Sequence, residues 1–114
     1  MRTVALVALL VAGVGAAKAQ DVQAFLSGNT LWEYCAAPRG SLQFGFCAGH
    51  IAGVADAMTS YGRLGEYRAC IPRRVQVGQV VDVVIQNLSV NPSRRHLTAS
   101  SLTARAIAEA FPCR

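Results

Sequence analysis

Four cysteines, Cys35, Cys47, Cys70 and Cys113, follow a segment that reads as an export signal. Exported chains meet oxidising conditions, and an even number of thiols there pairs into disulfides. Any fold open to this chain must therefore bring four distant positions together two by two. The same pairing removes all four sulfurs as nucleophiles, because a nucleophilic cysteine needs a free thiolate.

Residues 1–19 carry the signal pattern. Arg2 supplies a basic start, an apolar stretch follows from Val4 to Val14, and Ala17-Lys18-Ala19 has the small-x-small form of a cleavage site. Cleavage is expected between Ala19 and Gln20. The apolar stretch falls short of the roughly 20 residues that span a bilayer, and no second one occurs, so no membrane insertion is expected after cleavage. Gln20 in place of a cysteine speaks against a lipid anchor. The expected location is the periplasm or the exterior, with residues 20–114 as one domain.

That domain has 95 residues, enough for one modest core that cross-links would help to hold. Without Arg2 and Lys18 it keeps nine arginines and no lysine against six acids, so the net charge falls from +5 to +3. Nucleic-acid binding calls for a denser basic stripe with a matching motif, and no nucleic-acid partner is expected. An acidic protein partner fits better.

Four helices are legible. The first is expected over residues 22–35, with Phe25, Gly28, Trp32 and Cys35 on one face. Pro38-Arg39-Gly40 breaks the chain, and Ser41 is positioned to cap a second helix reaching Tyr61. Its inner face reads Phe44, Cys47, Ile51, Val54 and Met58. Gly45, Gly49 and Gly53 form a smooth row to which another helix could come close. After a connector containing Pro72, residues 78–88 carry Val80, Val81, Val84, Ile85 and Leu88 at helical spacing. Their β-branched content makes a strand the competitor. A fourth helix is expected over residues 97–110, with Leu102, Ala106 and Ile107 inside and Pro112 beyond its end. The expected fold is all-α, a small four-helix up-down bundle stapled by two disulfides.

Short breaks between helices imply antiparallel neighbours. Cys35 and Cys47 then face each other across the first turn, while Cys70 and Cys113 meet at one end of the second hairpin. The expected pairs are Cys35–Cys47 and Cys70–Cys113; two other pairings satisfy the count.

Catalytic patterns are scarce. No nucleophile elbow, zinc-protease helix or phosphate-cradling loop is present. Cys47-x-x-His50 sets a thiol and an imidazole on one helical face, but the remaining ligand types are scattered, and no metal site or cofactor is expected. Asp56 and Asp82 read as structural or solvated carboxylates, His50 as a partly buried core residue and Trp32 as core. His96 reads as a helix-end hydrogen-bonding group. The arginines say more. In an up-down bundle Arg63, Arg68, Arg73, Arg74 and Arg114 gather at one end, and Arg73 and Arg74 precede a helix N-terminus, where positive charge is unfavourable. They serve either solubility or the docking of an acidic partner. Tyr61 and Tyr67 in the same region suit an interface.

Read together, several short motifs resemble one family. They are Gly28-Asn29-x-Leu31 leading to Cys35, Phe46-Cys47-x-Gly49-x-Ile51-x-Gly53-Val54-x-Asp56, and Cys70-Ile71-Pro72. Gly78-Gln79-x-Val81-Asp82-Val83-Val84, Pro92-x-x-Arg95-His96 and Ala110-Phe111-Pro112-Cys113 complete the set. In this order they resemble the type VI secretion amidase immunity proteins of the Rap/Tai kind. Two positions depart from that pattern: His50 stands where relatives carry Tyr, and Gln76 where a Thr would cap the third helix. The resemblance implies a helical periplasmic protein, often a homodimer, that binds a peptidoglycan amidase toxin and occludes its cleft without turnover. A small periplasmic binding protein or stress chaperone with no toxin partner is the alternative.

Overall fold

The computed structural model describes residues 24–114; the expected signal segment and its cleavage point lie outside them. Four α-helices follow in order: α1 (Gly28–Ala36), α2 (Leu42–Tyr61), α3 (Val77–Val90) and α4 (Ala99–Ala110), with a single 3-10 turn at Pro92–Arg94. Both expected disulfides are present. Cys35 is bonded to Cys47 and Cys70 to Cys113, with Cα atoms 5.1 and 5.0 Å apart.

Local chemistry explains most of the boundaries. Ser41 caps α2 by accepting from the Phe44 N–H at 3.1 Å, and Gly62 ends it in the left-handed region at φ 79°, a conformation glycine adopts without strain. Gln76 stands at the start of α3, where its N–H donates to Oε1 of Gln79 at 2.7 Å. The side chain three residues into the helix thus serves the entry in the absence of a Ser or Thr cap. The β-branched run in α3 is helical because its apolar residues form one buried stripe, Val80, Val81, Val84 and Leu88.

α1 is shorter than expected. It starts at Gly28, because Ser27 accepts from the Thr30 N–H at 3.2 Å and fixes the entry there. Its buried face is Gly28, Leu31 and Cys35. Phe25 lies before the helix, fully exposed, and Trp32 is only half-buried against the core.

The start of α1 is laced to the start of α4. The Gly28 N–H donates to Leu97 O at 2.8 Å, Asn29 to Arg95 O at 2.7 Å, and Ala99 to Leu26 O at 2.9 Å. In a bundle whose helices simply alternate, the first and last helices start at opposite ends. Here the two starts lie side by side, so α1 enters the bundle at the end where α4 begins.

Arg95 holds this junction. Its Nε donates to Leu88 O at 2.7 Å and its Nη2 to Ser89 O at 3.2 Å, which satisfies carbonyls at the end of α3. Its guanidinium lies 4.2 Å from the centre of the Trp32 ring, within cation–π range. The helix-end role expected of His96 thus belongs to its neighbour, and His96 is exposed.

One core joins all four helices. Leu31, Cys47, Ile51, Val84, Ala104 and Ile107 are completely buried, and Thr103 is the buried polar side chain among the described residues. The Gly45, Gly49 and Gly53 row faces solvent, and a Cβ at any of the three would meet nothing within 4 Å. Among the described residues no helix approaches it, because the core stripe lies on the other side of α2.

Candidate functional site

Two exposed surfaces stand out, one basic and one apolar. The basic one is built on the connector between α2 and α3. Arg63 follows the Gly62 cap, and Leu64 and Tyr67 exchange backbone hydrogen bonds at 2.9 and 3.0 Å around Gly65 at φ 58°. Tyr67 is half-buried and packs against the core, so it anchors the connector as much as it offers a contact. Arg63, Arg68, Arg73 and Arg74 are exposed. The Cys70–Cys113 bond draws the chain end, with Arg114, to the same connector.

Among the described residues the ion pairs are Arg39–Asp82 at 3.0 Å and Arg105–Glu109 at 2.8 Å. The connector arginines take part in neither. Arg73 lines a groove of about 310 Å³ with Ala55, Asp56, Ile71, Val75 and Val80. Asp56 and Asp82 line different grooves, and Asp82 is bonded to Arg39. Among the described residues no three His, Cys, Asp or Glu side chains gather closely enough to hold a metal ion.

The apolar surface escaped the sequence reading. Leu42 is 88% exposed and Phe46 54% exposed. At about 100° per residue they lie on the side of α2 opposite Cys47, Ile51 and Met58, in line with Gly45, Gly49 and Gly53. Tyr34 meets the Phe46 ring edge-on, with centroids 5.1 Å apart. Beside it, Phe25, Leu26, Phe46, His50 and Ser100 line a cleft of about 420 Å³. Residues 42–55 contain no Asp, Glu, Lys or Arg. Exposed aromatic residues on an uncharged face are the composition of an interface centre. In the sequence Leu42 and Phe46 sit four apart, off the core stripe, on the same side as the glycine row, a spacing that a helix buried on both sides shares.

His50 links this face to the core. It is half-buried, and its Nε2 lies 3.4 Å from the buried Thr103 hydroxyl of α4. Burial lowers its pKa below the ordinary 6.5, partly opposed by a backbone hydrogen bond at Ala99. The folded state therefore prefers neutral His50, and the unfolded state takes up its proton first as pH falls. This contribution to stability is complete above 6.5 and is lost as pH drops through 6.5 to the lower folded value. Urea midpoints measured from pH 7.5 to 5 should decline for the native chain, and His50→Gln should remove part of that slope. An unchanged slope would detach His50 from the pH response.

The family model of the Rap1a immunity proteins matches residues 27–113, from the cap of α1 to the last cysteine. No curated protein matches the chain. Among the described residues no helix is long and apolar enough to cross a membrane.

Proposed function

This chain belongs to the Rap1a immunity proteins, and from that premise we propose that it is a periplasmic protein that binds a secreted peptidoglycan amidase toxin and occludes its active-site cleft. The match over residues 27–113 carries this reading. Binding alone does the work, with no turnover. A domain braced by two disulfides suits the task, since a preorganised surface loses little freedom on docking. The test is co-purification with a candidate amidase followed by an assay of peptidoglycan cleavage. The expected result is a stable complex with cleavage suppressed at about one-to-one stoichiometry. An amidase neither bound nor inhibited would overturn the reading and favour a small periplasmic helper instead.

The connector is the surface for the toxin. Arg63, Arg68, Arg73 and Arg74 are exposed and outside the ion pairs seen among the described residues, on the connector that also carries Tyr67. Replacing Arg73 and Arg74 by Glu should weaken the complex by about tenfold or more, mainly through slower association that salt also affects. Unchanged affinity would return both residues to a solubility role.

The uncharged face of α2 pairs with a second copy. A two-fold contact packs one patch against its own copy, and residues 42–55 contain none of the four charged types, so the contact brings no charge from this stretch out of water unpaired. Phe46→Asp should leave the helical signal unchanged and shift the mass seen by light scattering from dimer to monomer. The same mass for both proteins would refute this pairing.

A further inference from the structure

The two disulfides differ in what surrounds them. Cys35 and Cys47 are 6% and 0% exposed and belong to the core shared by the helices. Cys70 and Cys113 are both exposed and lie outside every helix, one in the connector and one near the chain end. We infer that Cys70–Cys113 is a thiol–disulfide exchange site, open to dithiol reductants while the protein stays folded, whereas Cys35–Cys47 is closed to them until the core opens.

Exchange requires a thiolate to reach a sulfur from outside. For the core pair, α1 and α2 must first separate, so its rate carries the small population of opened molecules. The outer pair has no such requirement. Arg114 directly follows Cys113, and Arg68 stands two residues before Cys70; positive charge there attracts an anionic attacker and steadies the thiolate that departs. Thiolate attack at Cys113 Sγ forms a mixed disulfide, breaks the bond to Cys70 and expels Cys70 as a thiolate, which takes a proton from water. The second thiol of the reductant then attacks its own sulfur in that mixed disulfide and releases Cys113. Two electrons pass from the dithiol, which ends as a disulfide, to the protein.

The chemistry suits a small dithiol or a Cys-x-x-Cys protein reductant. It does not depend on which protein the chain binds. Its structural effect is confined: the chain end stays tied by the Cys70 N–H donating to Phe111 O at 2.8 Å, the Phe111 N–H donating to Ile107 O at 2.9 Å and the half-buried Phe111 ring. The residues after α4 loosen, and the connector with them, while the core and its own staple persist.

The full native protein, treated with dithiothreitol without denaturant, quenched with iodoacetamide at intervals and mapped by peptide mass, tests this. Cys70 and Cys113 should be labelled at least about tenfold faster than Cys35 and Cys47, with the helical circular dichroism retained at the first labelling. Three results would overturn the proposal: all four cysteines labelled together, Cys35 and Cys47 labelled first, or helical signal lost along with the first label.

Discussion

Replacing Cys70 and Cys113 together by Ser should lower the free energy of unfolding by about 4 kcal/mol. The bond closes a loop with a sequence separation of 43, and the chain-entropy relation gives roughly that value for a loop of such length. Both residues are exposed, so Ser leaves no core cavity and buries no new hydroxyl. The loss comes mainly from the greater freedom of the unfolded chain. Against a total of about 5–15 kcal/mol for a domain, it is a large fraction, and the melting temperature should fall by on the order of 20 °C. Urea unfolding followed by circular dichroism measures it. A loss below about 1 kcal/mol would mean that the unfolded chain is already constrained without the bond. The same exchange at Cys35 and Cys47 opens a shorter loop, of separation 12, and costs about 3 kcal/mol. There a further cost arises, because Ser would place a hydroxyl in the buried core.

Gly28→Ala should cost about 2–3 kcal/mol, although it adds one methyl group to a helix. A Cβ at this position would lie 2.7 Å from Arg95 O and collide with Leu102 Cδ1. The Leu102 side chain can turn away, but the carbonyl cannot. It accepts from the Asn29 N–H, and the Arg95 side chain is held by the end of α3 and the Trp32 ring. Relief therefore demands that α1 move off α4, which would break the hydrogen bonds joining their starts. Gly78→Ala provides the control. A Cβ there meets nothing within 4 Å, so the same change should stabilise α3 by about 0.5 kcal/mol through the unfolded chain's lost freedom. Opposite signs in paired urea titrations are the expected result. A Gly28→Ala midpoint equal to the native one would show that α1 docks less closely than described.

Individual residues show how far the sequence carries. The stripe of Cys47, Ile51, Val54 and Met58 was legible because helical spacing is a local property, and Ser41 announced its own helix start. The pairing of the cysteines followed from short turns, which leave adjacent helices few places to go. The start of α1 was misplaced because apolar spacing extended through Phe25, while the decisive signal was one hydroxyl, that of Ser27, bonded to a single N–H. By spacing, Trp32 falls on the apolar face of the first helix, with Gly28 and Cys35, and so points to the core. Its half-exposed place beside Arg95 depends on a residue 63 positions further along the chain.

The candidate surfaces divide in the same way. The connector arginines could be named from the sequence, since charge on a loop stays near water wherever the loop goes. The face of Leu42 and Phe46 could not be told from core, because apolar residues on both sides of a helix fit a buried helix as well as an interface. What distinguishes the two is that, among the described residues, no helix packs on this face.

By itself, then, the sequence determined the order of the four helices, most of the buried stripes of the last three and the pairing to expect for the two staples, since these rest on spacing, caps and turn length within a few residues. The tertiary structure alone decided that α1 begins beside α4, that Gly28 must lack a side chain, and that one staple is buried while the other is exposed. Those features depend on which distant surfaces exclude water from one another, and that is set only when the helices pack.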